Sequence, residues 1–187
     1  MKGGKLVADL LTLSRLLLAC AFVPVGILRG DGGLAIAGWM MIYSWTSDIL
    51  DGAFARSAGE PQHTWLGDND LLIDMSVSLG LLFYMMLSGY VGLYVGVLYL
   101  VAWALAFWRF GLTSSLGKLF QTPIYGWFLL ISLRHAPIAG WSMLAWIVIA
   151  IWLSWPRFPN EVIPGFLDGF GEGEQGNELS GKSANHT

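Results

Sequence analysis

The sequence predicts an all-α, polytopic membrane protein with about six transmembrane helices. Three observations lead there. The 187 residues are 55% hydrophobic and only 12% charged, with a mean hydropathy of +0.59, whereas soluble domains carry roughly twice that share of charge. Six windows approach the roughly 20 apolar residues that a helix needs to cross a bilayer. Glycine and tryptophan are abundant, at 24 and 10 residues, and both are frequent in membrane helices or at their interfaces.

The first window is Leu10–Leu28. Further spans follow it and it lacks a small-residue cleavage site, so it reads as a retained helix, not a removed signal peptide. It contains the one cysteine, Cys20. A lone cysteine excludes an intramolecular disulfide and a thiolate metal cluster, and Cys20 is expected as a small buried residue. Leu34–Leu50 is the second span and Leu71–Tyr90 the third, joined by an acid-rich connection. Val91–Leu112, Leu116–Leu133 and Ile138–Trp155 complete the six. No repeat of fixed period is evident.

These spans make one membrane domain, residues 1–158, followed by a polar acidic tail, residues 159–187. From Asn160 onward the chain has Glu161, Asp168, Glu172, Glu174 and Glu178 against Lys182, a net charge of −4. The rest holds nine bases and eight acids, or +1, which together give the overall −3. From Gly169 the composition, rich in Gly, Glu and Ser with almost nothing apolar, predicts disorder.

Lys and Arg placement sets the expected orientation. With six spans both termini share one side, on or near which lie Lys2, Lys5, Arg15, Arg56, Arg109, Lys118 and Arg157. Arg29 and Arg134 lie near the other. Positive residues favour the cytoplasmic side, so both termini and the acid-rich connection are expected in the cytoplasm.

That connection, with its flanks, runs from Ser47 to Asp74 and holds Asp48, Asp51, Asp68, Asp70 and Asp74. If the second span continues as a helix past Ile49, then Asp48, Asp51, Gly52 and Ala55 share one face. Arg56 borders that face. Asp70 and Asp74 are one turn apart at the start of the third span. Glycine and alanine between acids leave room for something large beside the backbone. Two helices would thus present two pairs of carboxylates to a common space, with Arg56 as the countercharge at hand. Like charges at close range disfavour their own ionisation, and a divalent cation relieves them. Aspartate oxygens suit Mg²⁺, Mn²⁺ or Ca²⁺, and no Cys or His cluster is available for zinc. A carboxylate-held metal pair suits phosphoryl chemistry. The competing reading is that these acids cap helices and face water, with Asp68 and Asp70 capping the third span.

The block Asp48-x-x-Asp51-Gly52-x-x-Ala55-Arg56, followed by Asp70-x-x-x-Asp74, resembles the signature of the CDP-alcohol phosphatidyltransferase family, D-x2-D-G-x2-A-R-x8 or 9-G-x3-D-x3-D. The chain length and six spans also resemble the family, and Leu11-Thr12-Leu13-Ser14-Arg15-Leu16 resembles its first helix more loosely. Two features depart from the signature. Gly67 stands two residues before Asp70 where the family has three, although Thr64-Trp65-Leu66-Gly67 resembles the family's T-x-F-G. Met75 follows the last aspartate where a base is common.

The resemblance implies transfer of a phosphatidyl group from CDP-diacylglycerol to a small alcohol, with release of CMP, in phospholipid biosynthesis. It implies that Asp48, Asp51, Asp70 and Asp74 hold Mg²⁺ or Mn²⁺, two ions, and that Asp74 is also the catalytic base. Gly52, Ala55 and Arg56 would contact the nucleotide and phosphates, with Thr64 nearby. Lys118, where the family often has a basic motif, would bind an acceptor phosphate, or else is a snorkelling interfacial lysine. Arg109 is in the same position. Glycerol 3-phosphate is the leading acceptor. The expected setting is a bacterial inner membrane, with a homodimer as a possible assembly and no nucleic-acid partner.

Two other classes compete. An intramembrane prenyltransferase also uses aspartate pairs and Mg²⁺ on diphosphates, but such enzymes are usually longer and lack the D-G-x2-A-R block. A non-enzymatic membrane protein with an acidic, ion-binding mouth would pass or bind ions without releasing CMP. His63, in the acidic connection, is expected to be solvated. The tryptophans are expected to face lipid, the interface or helix packing.

Overall fold

Among the described residues, the computed structural model places six long helices where the expected spans fall. It describes residues 2–57 and 70–153, with side chains described for residues 10–50 and 71–153. Helix α1 is Lys2–Arg29, α2 Leu34–Ser57, α3 Asp70–Leu87, α4 Leu93–Phe110, α5 Ser114–His135 and α6 Pro137–Leu153. Among the described residues there is no strand. The expected tail, with His63, Thr64, Gly67 and Asp68 of the acidic connection, lies outside the described residues.

Local chemistry explains the breaks. Helix α1 ends at Arg29 and the chain turns through one short 3-10 turn, Gly30–Gly33. Gly30 takes φ +53°, a left-handed conformation that glycine adopts without a Cβ penalty. Thr113 caps α5 by accepting from the Leu116 amide at 3.3 Å, leaving one fewer amide unmet at that terminus. Pro137 opens α6, the position where a missing N–H costs least, and it disfavours helix at the preceding Ala136, so α5 ends at His135.

Helices α1, α2 and α3 form the packed centre, α5 lies against α3 and α6, and α6 also covers α2. Small residues let backbones approach, as is usual where lipid replaces water as solvent. At Gly80 on α3 an added Cβ would sit 2.3 Å from the Ala19 carbonyl oxygen of α1. Phe22, Ala37, Met41, Val77, Leu81, Met85, Phe128 and Met143 fill the core. Helix α4 is peripheral: only Gly96 on it is buried. Its inner edge meets α5 through Tyr99, Trp103 and Phe107, which surround Phe120 at centroid distances of 5.7, 5.7 and 6.0 Å.

The outer surface is apolar. Leu28, Tyr94, Trp108, Ile138 and Trp152 are each at least three-quarters exposed. A water-soluble monomer rarely shows so continuous an apolar exterior. The stretches Leu10–Leu50, which spans α1, the turn and α2, and Leu93–Phe110 are long and apolar enough to cross a membrane, and Leu71–Leu87 and Pro137–Leu153 are shorter apolar helices. Cys20 corrects an expectation: it is exposed on α1, not buried, because in lipid the outward face is the one that accepts an apolar side chain. The tryptophans divide as expected. Trp108, Trp141 and Trp152 face outward, and Trp45 packs on Tyr125 and Trp146 at 5.9 and 5.6 Å.

Candidate active site

Helix α2 continues through Ser57, so Asp48, Asp51, Gly52, Ala55 and Arg56 all lie on one uninterrupted helix, as the periodicity argument required. Asp70 is the first residue of α3 and Asp74 stands one turn later. The ends of α2 and α3 that carry these residues lie at the same end of the bundle. Side chains are described at Asp48 and Asp74, while those of Asp51, Gly52, Ala55, Arg56 and Asp70 lie outside the described set.

What brings Asp48 and Asp74 together is a residue on a third helix. Arg15 of α1 has no solvent exposure. Its Nη1 donates to Asp48 Oδ1 and lies 3.2 Å from Asp74 Oδ1. One guanidinium therefore bridges carboxylates from α2 and α3. A charge-assisted pair of this kind is stronger than a neutral hydrogen bond, and leaving either sign alone in an apolar interior would be costly. This corrects one expectation: Arg56 is not the acids' sole countercharge, because Arg15 supplies one from inside the bundle.

Small polar groups surround the bridge. Thr12, Ser44, Ser47 and Ser78 are buried. The Ser47 hydroxyl donates to the Leu11 carbonyl of α1 at 3.3 Å. The Tyr125 hydroxyl of α5 lies in the field of Asp74 and Asp48 and donates to Gln121 Oε1 at 3.3 Å. Four helices thus contribute polar atoms at one level of an otherwise apolar bundle. The sequence reading missed Arg15, Ser47, Ser78 and Tyr125 as site residues. For Arg15 a signal was present: an ionisable residue inside an apolar span is expensive unless it serves a site. The serines and the tyrosine carried no such signal, since each also occurs in ordinary helix packing.

Lys118 lies in the first turns of α5 and is exposed. Its neighbour Gly117 packs on Leu71 of α3, where an added Cβ would stand 2.7 Å from Leu71 Cδ1, so this end of α5 adjoins the start of α3. Arg109, at the end of α4, rests over the Phe110 ring at 5.4 Å. Neither base is part of the Arg15 bridge.

A family model described as CDP-alcohol phosphatidyltransferase matches residues 5–163. The chain belongs to the CDP-alcohol phosphatidyltransferase family. No curated protein and no solved structure gave a match. As a CDP-alcohol phosphatidyltransferase it is a phosphotransferase for substituted phosphate groups, acting in phospholipid synthesis. Its substrates are a CDP-alcohol and an alcohol acceptor, met in a lipid environment. The family is membrane-embedded, in keeping with the apolar exterior.

Members of the family generally depend on a divalent metal. Among the described residues no three Asp, Glu, His or Cys side chains converge. The donor chemistry present does fit a hard cation. Asp48 and Asp74 stand on two helices that both pack on α1, around a shared partner, and their side chains stay 46% and 33% exposed, so both remain within reach of an arriving ion. The available donors are oxygen donors, which suit Mg²⁺ or Mn²⁺.

Proposed function

We propose that this phosphatidyltransferase moves the phosphatidyl group of CDP-diacylglycerol to glycerol 3-phosphate. The observation that supports the site assignment is the Asp48–Arg15–Asp74 bridge, in which one guanidinium contacts an acid from each half of the signature. In this reading Asp48, Asp51, Asp70 and Asp74 hold Mg²⁺ or Mn²⁺, two ions. Divalent cations there would neutralise the donor diphosphate and the charge that gathers on departing CMP. Gly52 and Ala55 leave room for the nucleotide, and Arg56 offers a planar fork to phosphate.

Asp74 takes the proton of the acceptor hydroxyl. The freed oxygen attacks the phosphorus that carries diacylglycerol, a new P–O bond forms, and the bond to CMP breaks, with the electron pair leaving on the CMP oxygen. Lys118 and Arg109 are candidates for binding the phosphate of glycerol 3-phosphate, being bases at the same end of the bundle. Thr64 belongs to the nucleotide side of this reading. The chain crosses the membrane six times with both termini and the site in the cytoplasm, in a bacterial inner membrane.

The test of the reaction is purified protein with CDP-diacylglycerol, Mg²⁺ or Mn²⁺ and a panel of alcohols. Glycerol 3-phosphate should support CMP release, a chelator should abolish it, and either metal should restore it. Selective use of serine, inositol phosphate or choline would displace the acceptor assignment, and full activity in metal-free buffer would remove the metal from the reading. Orientation is tested separately with single cysteines in a Cys20→Ala background. Gly59→Cys should be protected from a membrane-impermeant thiol reagent in intact cells and Gly32→Cys should label. The reverse pattern refutes the assigned orientation.

A further inference from the structure

Arg15 is, among the described residues, the charged side chain that is fully buried, and its place between two carboxylates needs a reason beyond holding helices together. Contact between α1 and α2 is already made by the neutral Ser47–Leu11 hydrogen bond, and α1 meets α3 at the Gly80–Ala19 approach. Neutral contacts avoid the desolvation that a buried guanidinium requires. What arginine alone adds is a fixed positive charge, with donors in planar geometry, set between Asp48 and Asp74. Without it, the carboxylates brought together from α2 and α3 would repel each other wherever no cation was bound.

We propose that Arg15 is a positioning residue, the built-in countercation of the Asp48–Asp74 pair. Its guanidinium holds the two carboxylates at a set spacing, so that a divalent cation meets oxygen ligands already in place. This deepens the reading above and rests on its assignment of Asp48 and Asp74 as metal ligands. A residue that merely filled space would stabilise the protein equally with and without metal. A countercation matters most when the metal is absent, because a bound metal can stand in for the missing charge.

The experiment is thermal unfolding of the full-length protein in detergent micelles, in EDTA and in saturating Mn²⁺, for wild type, Arg15→Gln and Arg15→Lys. In EDTA, Arg15→Gln should melt about 5 °C below wild type, less than the full loss on breaking a buried charge pair because the two carboxylates stay partly exposed. Mn²⁺ should recover at least half of that gap. Arg15→Lys keeps the charge and should keep most of the EDTA stability. Lacking the fork, it should still lower kcat for transfer at least tenfold.

Adding Asp48→Asn to Arg15→Gln restores the net charge of the cluster and should raise the EDTA melting point above that of Arg15→Gln alone. This double variant also covers the case in which Arg15→Gln yields no folded protein: the double variant should then fold. An equal loss for Arg15→Gln with and without Mn²⁺, no loss in EDTA, or no gain from Asp48→Asn would each overturn the proposal. The metal assignment fails by a different sign: no Mn²⁺-induced shift in wild type and no Mn²⁺ binding by electron paramagnetic resonance, whatever the Arg15 variants do.

Discussion

The two ends of the helical bundle are tied by different chemistry. At the site end, Arg15, Asp48 and Asp74 join α1, α2 and α3 through charge. At the other end the Gly30–Gly33 turn is held by neutral groups: the Tyr84 hydroxyl of α3 donates to the Gly30 carbonyl at 3.1 Å, and Tyr90 donates to the Asp31 carbonyl at 3.4 Å. Tyrosine can do this because its ring is at home among apolar side chains while its hydroxyl meets a carbonyl that would otherwise be unmet. The opposite end therefore shows what closing this bundle requires, and buried charge is not part of it. In the reading proposed above, the charge at the site end serves the chemistry, which is why its desolvation is tolerated.

The largest test of that contrast removes single charges at the site end. Asp74→Asn should lower transfer by on the order of 10²–10⁴, the usual worth of a general base, while keeping appreciable CDP-diacylglycerol binding. Asp48→Asn should lose both donor binding and transfer. Asp68→Asn, outside the signature, should matter much less. Labelled-donor binding measured beside CMP release separates the three. A dead Asp68→Asn with an active Asp70→Asn would show that the signature register is shifted, as the late Gly67 warns.

A medium effect is expected midway between the ends. Gly80→Ala places a Cβ against the Ala19 carbonyl, where backbone and not a flexible side chain must move. About 1–3 kcal/mol of stability should be lost, the usual scale of overpacking. The melting temperature of the purified protein reports it, and an unchanged value would mean that α1 and α3 approach less closely than described.

The smallest effect belongs to the far end. Tyr84→Phe removes one neutral hydrogen bond to Gly30 and should cost about 1 kcal/mol, with kcat for transfer unchanged. If Tyr84→Phe instead impaired transfer as strongly as Asp74→Asn, the division between a chemical end and a closing end would be wrong.

Sequence alone determined the helical class and the approximate limits of the six helices. In a chain this apolar, helix placement follows from runs of hydrophobic residues, glycine and proline breaks, and the need to satisfy backbone groups within each segment. It also determined the candidate acids, because charge in such a context is rare and the D-x2-D-G-x2-A-R spacing is tied to local helical geometry. Tertiary structure alone decided which residues meet. Arg15 lies 33 residues from Asp48, and nothing local to Leu11–Leu16 says that its guanidinium will point between α2 and α3 and not snorkel outward. Tyr125 joins the same level from α5. Cys20 faces outward for the same kind of reason: a helix's apolar residues are alike in sequence whether they meet lipid or protein, and only packing against neighbouring helices distinguishes the two faces.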